Sequence, residues 1–272
     1  MIYHLINNMY AKRSLGQNFL TSESAVDKII DAGDVTADDI VLEVGPGKGM
    51  LTKKLLAFSD LVIAVEKDDT LFKLLQTKFK KEIENKKLKL IHGDILEFET
   101  NQLTASSYKL VANIPYNITG VLIRKFLENN HQPECMVLTL QKEVAERIVS
   151  KDKKESILSL SVKAYGEPKY VQMVRAGSFS PAPKVDSAIL LIENISKKFF
   201  DQFSEEKFFE ILRAGFRSKR KKLSSNIGEI VEKSKVLKSF EELGLDPNLR
   251  AEDLDINGWK KLVACLRSQE NL

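Results

Sequence analysis

The tetrapeptide Asn113-Ile114-Pro115-Tyr116 has the residue types and the order needed to hold a flat ring that carries an amino group. It follows the strand-like run Tyr108–Ala112. Because proline cannot donate a ladder hydrogen bond, the strand stops here and leaves the Asn113 amide oxygen and the Ile114 carbonyl available as acceptors. Tyr116 adds a ring face for stacking, and this combination suits the exocyclic amine of adenine. A plain strand end followed by a turn and a helix start would have the same sequence.

Three earlier strand-like runs also end in groups that could bind a nucleoside. The first leads into the glycine turn Gly45-Pro46-Gly47-Lys48-Gly49, which lets a ligand approach the backbone. The second ends in Glu66, an acid that can accept both ribose hydroxyls. The third is followed by Asp94, which can hold an adenine amino group, and by Ile95, which can pack against the ring. Together the three strand ends predict a site for an adenosyl ligand.

Other ligands fit this pattern less well. The spacing Gly-x-Gly-x-Gly differs from the dinucleotide fingerprint Gly-x-Gly-x-x-Gly, and alone it also fits a simple turn between a strand and a helix. No Gly-Lys-Ser/Thr sequence is present, which argues against a triphosphate. The amine-binding tetrapeptide favours S-adenosylmethionine over a nicotinamide nucleotide. The two cysteines and three histidines show no ligand-like spacing, so we expect neither a metal nor a disulfide.

The elements that would position these groups alternate along the chain. Short β-branched runs and amphipathic stretches follow one another from about Ser22 to Glu193, as in a mostly parallel sheet covered on both faces. The strand-like runs are Ile40–Val44, Leu61–Glu66, Leu88–His92, Tyr108–Ala112, Cys135–Gln141, Lys169–Ala176 and Ser187–Glu193. The helical stretches between them are Ser24–Ala32, Gly49–Phe58, Asp69–Lys80, Thr119–Asn129, Lys142–Val149 and Ile157–Tyr165. The last two strands predict an antiparallel pair that closes an α/β, Rossmann-like methyltransferase sheet.

After Asn194 the pattern changes to short helices, which predicts a separate all-α domain. We expect helices at Glu205–Phe216, Lys235–Leu243 and Asn257–Arg267. The predicted organisation is an N-terminal extension over residues 1–20, a Rossmann-like domain over residues 21–197 and a helical domain over residues 198–272. The family resemblance described below implies that the first segment covers the cofactor and that the helical domain binds RNA.

Composition and charge argue against a membrane or secreted protein and favour a polyanionic partner. The chain has 272 residues, of which 43% are hydrophobic and 29% charged, and no apolar run approaches the roughly 20 residues of a membrane helix. No signal-peptide pattern is present, so a soluble, cytoplasmic protein without a membrane partner is expected. The net charge of +4 is clustered, with five cations in six residues. These are Arg217, Lys219, Arg220, Lys221 and Lys222. One such run is commonly a solvated face, but a second group at Lys151–Lys154 favours a polyanionic partner.

With these residues in place, the chain resembles the rRNA adenine dimethyltransferases, and in particular the members that modify bacterial small-subunit rRNA. The resemblance is long and rests on several segments. They are Leu15–Leu20, Glu43–Gly49, Glu66, Gly93-Asp94, Asn113–Asn117, Phe179–Ser187 and Ala214–Arg217. The segment Lys151–Ser156 departs from the loop expected in the family, and residues 1–8 precede the family-like start at Met9, as an extension or a misassigned start.

The resemblance implies the site and the reaction. The segment around Asn18 and Leu20 would fold over the cofactor, and Phe179 would stack on the target base opposite Tyr116. The residues implied to bind the cofactor are Asn18, Leu20, Gly45, Gly47, Glu66, Lys67, Asp94, Ile95 and Asn113. The implied reaction is dimethylation of two adjacent adenines in the 3'-terminal hairpin loop of small-subunit rRNA, within an immature 30S subunit and by a monomeric enzyme. The basic run at 217–222 would grip the RNA.

Two other functions stay open at this point. A large-subunit rRNA adenine methylase of the macrolide-resistance type would share the cofactor and amine motifs, although Phe179–Ser187 argues against it. An RNA-binding assembly factor whose catalysis is dispensable is the second. A nicotinamide-dependent enzyme fits least, because no hydride-transfer constellation is present.

Overall fold

The structure is a computed structural model of the chain, and it describes residues 16–103, 107–150 and 152–268. The predictions for residues 1–15 and for Lys151 therefore lie outside the described residues. The backbone contacts divide the chain into two compact units. The first contains the described residues up to Ala145 together with Pro168–Ile195, and the second contains Glu146–Glu167 and the described residues from Ser196 onward.

A seven-stranded sheet forms the centre of the first unit. The strands of this unit are β1 (Phe19–Leu20), β2 (Ile40–Val44), β3 (Leu61–Glu66), β4 (Leu88–His92), β5 (Lys109–Asn113), β6 (Met136–Gln141), β7 (Glu167–Val174), β8 (Phe179–Ser180) and β9 (Ser187–Glu193). The sheet has the order β4-β3-β2-β5-β6-β9-β7. Strands β4 to β6 in this order are parallel, whereas β9 runs antiparallel to β6. The first five strands thus follow the doubly wound α/β order, with an antiparallel strand added, as the sequence predicts.

The central strands are buried along nearly their whole length because helices cover both faces of the sheet. All residues of β3 except Leu61 are buried, and so are Val41 to Val44 of β2. Such continuous apolar runs are typical of parallel strands. The exception is the carboxyl group of Glu43, which lies inside the buried part of β2.

Two helices of the first unit begin at residues whose side chains cap them. The helices of this unit are α1 (Glu23–Ala32), α2 (Met50–Phe58), α3 (Asp69–Lys78), α4 (Lys80–Glu84), α5 (Thr119–Glu128) and α6 (Lys142–Ile148), the last of which crosses the unit boundary. Ser22 accepts a hydrogen bond from Ala25 N, and Asp68 accepts from Thr70 N and Leu71 N. These caps satisfy amide groups that have no partner within the helix. The single helix predicted for Asp69–Lys80 is instead α3 followed by the short helix α4.

A second, two-stranded ladder lies outside the main sheet. Strand β1 pairs antiparallel with β8, so that Phe19 faces Ser180 and Leu20 faces Phe179. Main-chain bonds extend the ladder, because Thr21 N donates to Ser178 O at 2.8 Å. Neither strand is predicted from the sequence, since two residues are too few to show a period. The ladder joins the segment before α1 to the segment before β9.

The second unit is helical and is held together by aromatic side chains. Its helices are α7 (Ile157–Lys163), α8 (Glu205–Gly215), α9 (Leu223–Ile227), α10 (Lys233–Glu242) and α11 (Ile256–Ser268). Tyr165 contacts the rings of Phe200 and Phe209, so residues 146–167 pack with the C-terminal helices. The domains drawn from the sequence are continuous, and this unit differs from them by including α7. Within the described residues, no helix is long and apolar enough to cross a membrane.

Candidate active site

A cavity of about 250 Å³ opens at the carboxyl ends of β2, β3, β4 and β5. In open α/β sheets, ligands bind outside these strand ends, at the point where the strand order reverses. Here the reversal falls between β2 and β5, whose ends carry Gly45 and Asn113. Both residues line the cavity, together with residues 16–19 of the N-terminal segment. The fold thus brings together strand ends that are widely separated in sequence.

The glycine turn lets the backbone form one wall of the cavity. Gly45 has a φ of +65°, and a β-carbon there would meet no atom within 4 Å, so the wall is bare at this position. Gly47 also has a positive φ, of +60°, but its missing side chain leaves room for Phe19, whose ring would lie 3.0 Å from a β-carbon. Both positions require glycine on conformational grounds. Gly47 in addition allows the N-terminal segment to lie against the turn.

Glu66 is buried beneath this turn and is held by main-chain donors. Its Oε2 accepts from Gly47 N at 3.0 Å, and its Oε1 accepts from Asp68 N at 2.8 Å. Burial raises the pKa of the carboxyl group, and the two backbone hydrogen bonds partly oppose that rise. Each carboxylate oxygen can take a further donor. The arrangement can therefore bind a pair of hydroxyl groups from the cavity side.

Asp94 and Lys67 form an ion pair at the neighbouring strand ends. Lys67 Nζ lies 2.7 Å from Asp94 Oδ2, and Asp94 Oδ1 accepts from Leu96 N at 2.9 Å. The hydrogen bond from Lys67 holds the pKa of the Asp94 carboxyl below its usual value. Both residues line the cavity, as does Ile95, which is buried. The structure thus brings all three predicted residues to the cavity. The sequence does not indicate the ion pair, which joins residues 27 positions apart.

The tetrapeptide Asn113–Tyr116 begins with the last residue of β5, one residue beyond the strand end that the sequence predicts. Asn113 Nδ2 donates to the carbonyl oxygen of Asn18 at 3.0 Å, so the amide oxygen is the group left to accept a bond from a ligand. Ile114 N donates to Thr139 O at 3.0 Å, which ties the segment to β6. Asn113, Ile114 and Pro115 line the cavity. Their positions fit a clamp for an amino group.

The two aromatic residues predicted to stack on a base lie in different surroundings. Tyr116 lines the cavity, and its hydroxyl shares a 2.8 Å hydrogen bond with Ser187 Oγ. Phe179 is only 5% exposed and packs in the hydrophobic core, paired with Leu20 in the β1–β8 ladder. Neither Leu20 nor Phe179 is among the described residues that line the cavity. Both side chains instead pack in the same hydrophobic core cluster of the first unit.

The N-terminal segment Gly16–Phe19 is held at the cavity by the side chain of Gln17 and by the main-chain carbonyl of Asn18. Gln17 Nε2 donates to Asp68 Oδ2 at 3.1 Å, and Asn18 accepts the bond from Asn113. Lys48 Nζ lies 5.1 Å from the centre of the Phe19 ring. The sequence does not reveal the contact between Gln17 and Asp68, because nothing local connects two residues 51 positions apart. The segment, which we name the strap, forms part of the cavity wall.

Glu43 is a buried acid behind the glycine turn. Its carboxyl group is 1% exposed, and burial raises its pKa to about 8, with a smaller contribution in the same direction from Glu66. At neutral pH most of this carboxyl group is therefore protonated. Glu43 does not line the cavity among the described residues. The protonated form avoids placing a second negative charge beside Glu66.

The five predicted RNA-binding cations lie in the loop between α8 and α9 of the second unit. Buried Asn226 holds this loop by donating to Gly215 O at 2.7 Å and to Ser218 O at 3.0 Å. Glu229 pairs with Arg217 at 2.9 Å and with Lys221 at 3.2 Å. The remaining three cations are exposed, and none of them forms an ion pair with another described residue. They are Lys219, Arg220 and Lys222.

The doubly wound sheet, the glycine turn and the acids at successive strand ends define a Rossmann-like methyltransferase, the class that uses S-adenosylmethionine. Within this class, the sequence model of the ribosomal RNA adenine dimethylases matches residues 8–267. The chain belongs to that family, and it is a methyltransferase.

Individual relatives agree with this assignment. The chain is 43% identical to a ribosomal RNA small subunit methyltransferase A of Dehalococcoides mccartyi, over 96% of this chain and 89% of the relative. Its fold matches a crystal structure of a dimethyladenosine transferase from Plasmodium falciparum with a TM-score of 0.81 and 29% identity, over 93% of this chain and 98% of that one. It also matches the 23S rRNA methyltransferase ErmE with a TM-score of 0.75 and 23% identity, over 92% and 100%, a likeness of fold alone.

Proposed function

We propose that this enzyme transfers methyl groups from S-adenosylmethionine to the N6 atoms of two adjacent adenines in the 3'-terminal hairpin loop of small-subunit rRNA. The single observation that carries the proposal is the position of the Asn113 amide oxygen. It is left free to accept from an amine at the edge of a cavity that suits a nucleoside. The identity of 43% to a small-subunit methyltransferase supports the choice of RNA.

The residues of the cavity fit an adenosyl group. Glu66 binds the ribose hydroxyls with the oxygen lone pairs that its two backbone donors leave unused. Asp94, held by Lys67, accepts from the adenine amine of the cofactor, and Ile95 packs against the ring. Asn18 and Gly47 bring the strap over the glycine turn. S-adenosylmethionine supplies the methyl group from its sulfonium centre.

The tetrapeptide acts on the target base by positioning it. The exocyclic nitrogen of adenine is a poor nucleophile because its lone pair is delocalised into the ring. Asn113 Oδ1 and the Ile114 carbonyl accept its hydrogens, which favours a pyramidal nitrogen with its lone pair directed at the methyl group. Tyr116 stacks on the base, with Phe179 on the opposite side once the base is bound. The methylated nitrogen is acidic and loses its proton to solvent, so a strong general base is not needed.

The helical unit binds the RNA through a basic surface. Unpaired bases of a hairpin loop can be flipped out at a small cost in free energy, which suits an enzyme that must bring each adenine into a pocket. Lys219, Arg220 and Lys222 contact RNA phosphates directly, while Arg217 and Lys221 do so after leaving Glu229. We further propose that the enzyme acts as a cytoplasmic monomer on immature 30S subunits.

Methylation of defined ribosomal subunits tests the proposal. The protein is incubated with labelled S-adenosylmethionine and with small subunits that lack the modification, and the labelled nucleoside is located by nuclease mapping. Dimethyladenine at two adjacent positions of the small-subunit terminal loop is the expected result. Label in large-subunit RNA would instead identify a resistance-type methylase, and binding of precursor subunits without label would identify an assembly factor.

A further inference from the structure

The motif Phe179–Ser187 contains two polar side chains to which the cofactor site assigns no role. Ser187 opens β9 and is fully buried, yet its hydroxyl is satisfied by the 2.8 Å bond to Tyr116 Oη. A buried hydroxyl without a partner would be costly. The bond therefore fixes both groups, and it connects a strand of the sheet to the ring that faces the cavity.

Asp186 makes the corresponding contact toward the other predicted stacking residue. Its Oδ1 accepts from Ala176 N at 2.9 Å, at the start of the turn Ala176–Ser178 that leads directly into Phe179. The carbonyl of Ser178 in turn accepts from Thr21 N and Oγ1, at 2.8 and 2.9 Å. Asp186 thus sets the start of β8, just as Ser187 sets the ring of Tyr116.

Both residues have rigid supports. The carbonyl oxygen of Asp186 accepts from Lys142 N at 3.0 Å, and Ser187 lies opposite Gln141 in the antiparallel ladder between β6 and β9. The three residues that follow Ser187 in β9 are fully buried. The polar atoms that hold the two aromatic segments therefore stand at the start of a strand that continues into the buried core.

We propose that Ser187 is a positioning residue for the methyl-transfer reaction, which fixes the direction in which the Tyr116 ring points, and that Asp186 positions Phe179 through the main chain of the preceding turn. The inference rests on the proposed function, since it assumes that both rings stack on the target base. A bond at the hydroxyl end fixes the direction of the ring's long axis, because the side chain can no longer swing about its first torsion angle without breaking that bond. A base stacked on a fixed ring presents its amine to Asn113 in one orientation.

A double-mutant cycle tests the role of Ser187. The variants Ser187→Ala, Tyr116→Phe and the double substitution are compared in single-turnover methylation of unmodified small subunits. Each single variant is expected to lower kcat/KM for RNA by about three- to tenfold, the usual effect of one lost hydrogen bond. The KM for S-adenosylmethionine should stay within about twofold of wild type, and the double variant should be no slower than either single one.

Ser59→Ala is the matched control, because Ser59 is also a buried serine whose hydroxyl makes one bond, to Leu55 O at 2.9 Å, at the far end of α2. It should leave kcat/KM for RNA unchanged. Two results would overturn the inference, namely a Ser187→Ala enzyme as fast as wild type or single effects that multiply in the double variant. If Ser187→Ala does not fold, full activity of Tyr116→Phe alone would overturn it too.

The two hypotheses fail in different ways. If the proposed function is wrong, the wild-type enzyme itself leaves small-subunit RNA unlabelled, and the cycle can then be measured on whichever RNA it does label. If only the role of Ser187 is wrong, the wild type dimethylates the small subunit while the cycle shows no coupling. Asp186→Asn, which keeps one acceptor oxygen for Ala176 N, should retain most of the activity, whereas Asp186→Ala should lose about tenfold in kcat/KM for RNA.

Discussion

The side-chain nitrogen of Asn113 donates to the main-chain oxygen of Asn18 at 3.0 Å, and this single bond both orients the Asn113 amide and fastens the strap. A carbonyl can only accept, so the amide of Asn113 must present its nitrogen to Asn18 and its oxygen to the cavity. In the proposed function, the two ends of one amide group therefore set both the acceptor for the substrate and the cover of the cofactor.

Asn113→Ala should lower kcat by on the order of 10²-fold, because it removes a preorganised acceptor of the reacting amine. The Kd for S-adenosylmethionine should rise by no more than about tenfold, from the lost bond to Asn18. Asn113→Asp keeps an acceptor but cannot donate to Asn18, so it should lie between Ala and wild type in kcat. Single-turnover rates and equilibrium binding separate the two effects, and unchanged turnover in the Ala variant would contradict the clamp.

Gly47→Ala should weaken cofactor binding by displacing the strap. The backbone there has a φ of +60°, and an added β-carbon would lie 3.0 Å from the ring of Phe19. The left-handed conformation alone should lower the free energy of unfolding by about 1–2 kcal/mol. Chemical denaturation and cofactor titration measure the two quantities. Gly120→Ala is the control, since Gly120 is exposed in α5 with no atom within 4 Å of an added β-carbon. If Gly47→Ala binds the cofactor as tightly as the wild type does, the strap does not contribute to cofactor binding.

Glu43 should make the stability of the protein fall as the pH rises. Burial raises its pKa from 4.5 to about 8, so between these values the folded state binds more protons than the unfolded state. The free energy of unfolding therefore decreases across this window, by at most about 1.4 kcal/mol per pH unit. The contribution is fully present below about pH 4.5 and lost by about pH 8.

Glu43→Gln should remove this part of the pH dependence, because the amide resembles the protonated acid and cannot ionise. Urea denaturation at several pH values from 5 to 9 would compare the variant with wild type and with Glu241→Gln, an exposed position in α10. The Glu43 variant should be the more stable protein at the alkaline end and nearly equal to wild type at the acidic end. Parallel pH profiles for all three proteins would contradict the expectation.

Glu229→Gln should increase the affinity for RNA. The carboxylate of Glu229 pairs with Arg217 and Lys221, and RNA phosphates must displace it before these two cations can bind them. Removing its charge should tighten binding at low salt and steepen the dependence of log Kd on log salt by about 0.7 per additional phosphate contact. Filter binding across a salt series measures the slope.

Removing the exposed cations of the same loop should have the opposite effect and weaken RNA binding. A variant with Lys219, Arg220 and Lys222 replaced by Gln should bind RNA more weakly and with a shallower slope, because up to three phosphate contacts are lost. Its cofactor affinity should be unchanged, which checks that the fold is intact. A slope equal to that of wild type would exclude this loop from the RNA-binding surface.

Much of the parallel sheet could be predicted from the sequence, because buried parallel strands are written as continuous apolar runs. The predicted ranges Ile40–Val44, Leu61–Glu66 and Ser187–Glu193 agree with the structure, and the groups at the strand ends of the first two meet at the cavity. Contacts between distant residues could not be predicted. Nothing in the sequence near Tyr116 indicates Ser187, and nothing near Gln17 indicates Asp68.

The different surroundings of Phe179 and Tyr116 could not be predicted either, because they too depend on contacts between distant residues. The sequence identifies Phe179 and Tyr116 as similar stacking residues, but only the pairing of β1 with β8 shows that Phe179 is buried beside Leu20. A two-residue ladder between segments about 160 positions apart has no local signal. Helix ends are likewise set by details of capping, and the predicted helix Asp69–Lys80 ends two residues early at Lys78.

The ladder between β1 and β8 should couple the binding of the cofactor to the binding of RNA. Leu20 directly follows the strap, which the proposed function places over the cofactor, and its partner Phe179 belongs to the segment that we assign to the target base. Ordering either strand helps to order the other, so cofactor and RNA should bind with positive heterotropic cooperativity. By linkage, the factor by which the cofactor tightens RNA binding must equal the factor by which RNA tightens cofactor binding. An enzyme that must methylate each adenine twice would then exchange its spent cofactor most readily when the base is outside the pocket.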